Sequence, residues 1–142
     1  MNIIDSLKQS RTVIDSLLLN QSTEFGMASI PVITAISNDL GYKHIFSRQL
    51  QALSKPGDVA IYLSTSGSSE NILEGMKFGK INGLINISFT GLKSRWMYDY
   101  SNYYIAVPST STPRIQEGHL ILGHWLCEYI EKKLEYKIKD DF

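Results

Sequence analysis

Apolar and polar positions alternate along this chain in two distinct rhythms. The first twenty residues, MNIIDSLKQSRTVIDSLLLN, place Ile4, Leu7, Ile14, Leu17 and Leu18 near one stripe, with Asp5, Lys8, Gln9 and Asp15 away from it. That spacing predicts an amphipathic helix, lying on its own domain or, given the near-heptad stripe, between subunits. QSTEFG then breaks the pattern. Ile30 to Tyr42 suits either a short strand or a buried helix, whereas Ile45, Leu50 and Leu53 carry helical spacing. KPGD at 55–58 has Pro and Gly where a turn wants them.

Three runs read differently. VAIYLS (Val59 to Ser64), LINISF (Leu84 to Phe89) and YYIAV (Tyr103 to Val107) are short and almost continuously apolar, the pattern of strands covered on both faces. Helical segments lie between or after them, one following STSGSS and ending near Gly79, another from about Arg114 to Lys133. Strands alternating with helices predict a parallel sheet with flanking helices, an α/β fold.

Composition narrows this only a little. The chain has 142 residues, enough for one domain with a real core. Fourteen basic residues balance fourteen acidic ones, so no net field favours nucleic acid or an anionic membrane. Cys127 is the only cysteine, which excludes an internal disulfide and suits a reducing, cytoplasmic setting. Charges within the first twenty residues interrupt any signal peptide or membrane span there.

Two stretches carry candidate chemistry. STSGSS, at 64–69, follows a strand and opens a helix. Ligands of open parallel sheets bind beyond the carboxyl ends of the strands, and a helix N-terminus attracts anions. Gly67 allows close backbone approach, while Ser64, Thr65, Ser66 and Ser69 add uncharged donors, a combination suited to a phosphate monoester. The competing reading is a serine-rich turn whose hydroxyls cap the helix. The second stretch is TPRIQEGHLILGHWLCEYIE, from Thr112 to Glu131. Thr112 and Pro113 make a helix start, and Ile115, Leu122 and Leu126 an apolar side, with Gly118 and Gly123 allowing close packing. Gln116 and His124 fall about 80° apart around the axis and can face one cleft, and Glu117 is closer still in angle to His124. His119 and His124 read equally as structural histidines.

Taken together, AISNDLGYKHIFSRQLQAL, GDVAIYLSTSGSSENIL and VPSTSTPRIQEGHLILGHWLCEYIE resemble sugar isomerase (SIS) domains, and within them the phosphoheptose (sedoheptulose 7-phosphate) isomerases. The likeness covers roughly residues 27 to 134 and makes the chain a single SIS domain, residues 1–142, with a flavodoxin-like strand order. Residues 1–20 are similar in kind to a family helix that helps build a homotetramer. The resemblance implies an aldose–ketose isomerase converting sedoheptulose 7-phosphate to D-glycero-D-manno-heptose 7-phosphate, for bacterial lipopolysaccharide, capsule or glycoprotein heptose. By matched position, Ser64, Thr65, Ser66 and Ser69 would hold the phosphate. Gln116 would touch substrate and metal, and His124 would bind the metal, usually zinc, and transfer a proton. The likeness also makes 31–42 helical rather than a strand.

The chain departs from the family pattern ahead of that segment. A strand with a GNGGS loop, and a helix whose His and Glu supply two zinc ligands and the catalytic base, have no counterpart in LNQSTEFGMASIP. The expectations are therefore an incomplete metal site with low activity, in a shortened version of a longer chain. VAIYLS should lie at the edge of the sheet, covered by further chain or another subunit. The alternative is a non-catalytic phosphosugar-binding protein acting as a regulatory or replication-initiation partner.

Overall fold

The computed structural model describes residues 29–93 and 95–133. The helix expected over residues 1–20 lies outside them. All three apolar runs form strands: β1 (Val59–Ser64), β2 (Ile85–Gly91) and β3 (Tyr103–Val107). They pair in parallel in the order β1-β2-β3, with Val59 opposite Ile85 and Ile87 opposite Tyr103. Among the described residues β1 has a strand on one side only, the edge position expected of it.

Four helices flank the sheet among the described residues: α1 (Ile30–Leu40), α2 (Ile45–Leu53), α3 (Glu70–Ile81) and α4 (Thr112–Lys133). The ambiguous segment is helical. Pro31 sits in its first turn, where its missing N–H costs nothing, and Gly41 ends it at φ 91°. Strand β2 runs two residues beyond its apolar signature. Helix α3 outlasts Gly79 by one half-turn, and α4 begins two residues before Arg114, at the Thr112–Pro113 start. The KPGD turn closes with the Asp58 N–H donating to the Lys55 carbonyl at 3.0 Å, Gly57 supplying the positive φ.

Period-two alternation divides the core between the sheet's faces. Val59, Ile87 and Phe89 pack with Ile130, Leu122 and Leu126 under α4. On the other face Ala60 and Tyr62 pack with Leu50 of α2, Met76 of α3, and Met97. The second face of β2 is polar yet fully buried, which its sequence disguised. The Asn86 amide donates to the Met76 and Tyr100 carbonyls, at 2.8 and 2.9 Å, and the Ser88 hydroxyl meets that of Ser101 at 2.6 Å. These bonds pin the connection before β3, in which Tyr98–Tyr100 forms one 3₁₀ turn, to the sheet. Gly79 makes room for this network, since a Cβ there would collide with the Asn86 side-chain oxygen.

Candidate functional site

The carboxyl ends of the strands converge. Ser64, the last residue of β1, is buried, and its hydroxyl oxygen accepts the Gly67 N–H at 3.0 Å. That bond closes a turn in which Gly67 takes φ 63°, a left-handed conformation costly for other residues. The Ser69 hydroxyl lies 3.4 Å from that of Ser64. Ser66 accepts from Ser68 through both its N–H, at 3.3 Å, and its hydroxyl, at 3.2 Å. Thr65 is half-buried, and Ser66 and Ser69 are exposed.

Ser69 stands at the N-cap of α3, but its side chain does not cap the helix; its own contribution is a carbonyl accepting the Leu73 N–H at 3.0 Å. The capping account of the hydroxyls therefore fails for Ser69. Within the first turn the Ile72 N–H donates to the Asn71 side-chain oxygen at 3.0 Å, and the positive end of the dipole stays turned toward the loop. An open cleft of about 390 Å³ adjoins that first turn, lined by Gly41, Tyr42, Lys43, Glu70 and Asn71.

Helix α4 is anchored to the neighbouring strand ends. Ile115 is buried, and its side chain and the Thr65 carbonyl crowd Gly91 so closely that a Cβ would not fit. Val107 of β3 presses on Gly118 in the same way. Around Gly123, among the described residues and apart from its own stretch of helix, nothing lies within 4 Å of where a Cβ would stand. The apolar side of Ile115, Leu122 and Leu126 does face the sheet. Gln116, Glu117 and His124 are exposed, and Glu117 pairs with Arg114 at 2.8 Å. Such a surface pair contributes little stability.

His119 is the histidine that the sheet encloses, at 6 % exposure. Its ring lies 6.2 Å from that of Phe89 and donates to the Thr90 backbone carbonyl, leaving Nε2 without a partner. Burial lowers its pKa from the ordinary histidine value, against a smaller opposing effect of the Thr90 bond. Its position four residues after Ile115 and three before Leu122 on the apolar stripe was the signal for this.

The donors do not amount to a catalytic metal centre. Gln116 and His124 are separated by about 12 Å of helical rise, and a catalytic zinc usually takes three protein ligands. Among the described residues no group of three His, Cys, Asp or Glu side chains could hold a metal ion.

A parallel sheet with an uncapped helix opening at a serine- and glycine-bearing loop defines an α/β domain of the class that takes ligands beyond its strand ends. No protein-family model matches the chain. Individual proteins do. It is 45% identical over 115 residues to phosphoheptose isomerase 2 of Campylobacter jejuni, covering 77% of this chain and 57% of that one. With phosphoheptose isomerase of Thermodesulfovibrio yellowstonii the identity is 41% over 128 residues, 90% of this chain and 60% of the relative. Among solved structures, a phosphoheptose isomerase from Francisella tularensis superposes with TM-score 0.75 at 30% identity, covering 89% of this chain and 71% of its own. That from Neisseria gonorrhoeae gives 0.74 at 29%, covering 93% and 73%. The chain belongs to the phosphoheptose isomerase family, and it spans somewhat more than half the length of these two sequence relatives.

Proposed function

We propose that this chain binds sugar phosphates and is built for the aldose–ketose isomerisation of sedoheptulose 7-phosphate to D-glycero-D-manno-heptose 7-phosphate. The observation that carries the proposal is the serine loop, which closes on its own backbone yet leaves the α3 N-terminus uncapped. Thr65, Ser66 and Ser69 hold the phosphate there, with Ser64 fixing the turn. Uncharged donors and a helix dipole bind a dianion without the grip of a buried cation, so the ester can be released.

The isomerisation moves a proton between adjacent carbons through an enediolate. Imidazole suits such transfer near neutrality, which is the role of His124 in this reading, while Gln116 orients the hydroxylated chain. Among the described residues Gln116 and His124 are too few to hold the zinc that the family implies, so isomerase activity of this chain alone is low. The reading further includes a homotetramer, a cytoplasmic location and supply of bacterial heptose for lipopolysaccharide or capsule. No helix among the described residues is long and apolar enough to cross a membrane.

The test is turnover of sedoheptulose 7-phosphate beside its binding. Binding with little turnover is the expected result. Vigorous turnover abolished by His124→Ala would show that the missing base is supplied from elsewhere, and absence of binding would refute the proposal.

A further inference from the structure

The serine loop and α4 are joined by two short routes. In the first, the Gly67 N–H is held by the Ser64 hydroxyl, Ser64 lies opposite Thr90 in the sheet, and the Thr90 carbonyl takes the ring N–H of His119. In the second, the Thr65 carbonyl and the Ile115 side chain meet over Gly91. Gln116 follows Ile115 directly and precedes His119 by three residues, within the one turn of α4 that both routes reach.

Orientation follows from the contacts. Gly118 faces Val107 of β3. His119, about 100° further round the axis, turns to β2, and Gln116, about 60° beyond, turns toward the side of β1 and its loop. The His119 side chain is also a costly way to fill this space, because its Nε2 is buried with no partner. An apolar side chain would pack there without that cost. What the imidazole adds is the bond to Thr90.

We propose that His119 is a positioning residue for sugar-phosphate binding: through Thr90 it fixes the turn of α4 that bears Gln116 against the strand end that carries the serine loop. The inference rests on the phosphosugar reading above. It assigns His119 no contact with the ligand.

Calorimetry of the full chain with sedoheptulose 7-phosphate and, separately, inorganic phosphate tests it, each variant being checked by thermal melting. His119→Leu, which has no N–H for Thr90, should weaken heptulose phosphate binding about fivefold or more, the scale of one misplaced hydrogen bond. Inorganic phosphate, held by the loop alone, should change by less than about twofold. His119→Asn, whose short amide can donate to the same carbonyl, should recover most of the loss. Should the Leu variant not fold, His119→Phe keeps ring volume without the N–H and carries the same expectation. Unchanged heptulose phosphate affinity, equal losses for both ligands, or an Asn variant no better than Leu would each overturn the inference. A wild-type chain that binds neither ligand would instead overturn the serine-loop reading, and this inference with it.

Discussion

Replacing Ser64 with Ala removes one oxygen from the base of the serine loop. That oxygen accepts the Gly67 N–H at 3.0 Å, and both residues are buried. The variant leaves the N–H without an acceptor, at a cost of about 1–3 kcal/mol. Ser66, Ser68 and Ser69 around it are exposed, so water reaches the loosened turn and the lower end of the range applies. Loss of about 1 kcal/mol in global stability should appear in urea melts as a lower midpoint at unchanged slope. The same loss taken from the closed shape of the loop should weaken inorganic phosphate binding about fivefold by calorimetry. Ser68→Ala is the control. Its hydroxyl donates only to Ser66 on the exposed side, and it should stay within about 0.5 kcal/mol of wild type. A Ser64→Ala chain as stable as wild type, with unchanged phosphate affinity, would refute the idea that this hydroxyl shapes the loop.

Other outcomes test the scaffold around the site. Gly79→Ala should lower stability by about 1–3 kcal/mol despite alanine's better helix propensity, because the Cβ meets Asn86 and stands 2.9 Å from the Tyr62 hydroxyl; an unchanged or higher melting temperature contradicts this. Burial holds His119 below its ordinary pKa, so between that lowered value and about 6.5 the unfolded chain binds the extra proton. Stability should therefore be full above pH about 6.5 and fall as pH drops toward the folded value. Urea midpoints from pH 5 to 8 should show a shallower slope for His119→Leu, and identical slopes would count against the assignment. Zinc should be lost on dialysis against a mild chelator, since Gln116 and His124 fall short of a full ligand set among the described residues; stoichiometric retention would mean that other ligands complete the set.

The strands and the second half of the fold were legible because their signals are local. Continuous apolar runs marked β1 and β3 to the residue, and Ile45, Leu50 and Leu53 marked α2. The segment at 30–40 was not legible from periodicity. Its helix has no buried residue, so no stripe distinguishes it from a strand, and only the family likeness decided. Apolar patterning also hid the polar face of β2, where Asn86, Ser88 and Thr90 are buried and the chain before β3 offers Asn86 and Ser88 partners distant in sequence. At the site, the loop could be read from STSGSS, but not that Ser64 points inward while Ser69 leaves α3 uncapped. The same limit applied to histidines. Burial of His119 and exposure of His124 depend on how α4 rotates on the sheet, which Val107 and Gly91 settle through Gly118 and Ile115.

The central claim is that the serine loop at the end of β1 is a phosphate site. Isothermal calorimetry of sedoheptulose 7-phosphate against the wild-type chain and the Ser66→Ala, Ser69→Ala double variant tests it most directly. Saturable binding is predicted for wild type, weakened in the double variant by about 0.5–1.5 kcal/mol for each hydrogen bond lost. Equal affinity in the two proteins would contradict the claim and leave the loop as no more than a turn between strand and helix.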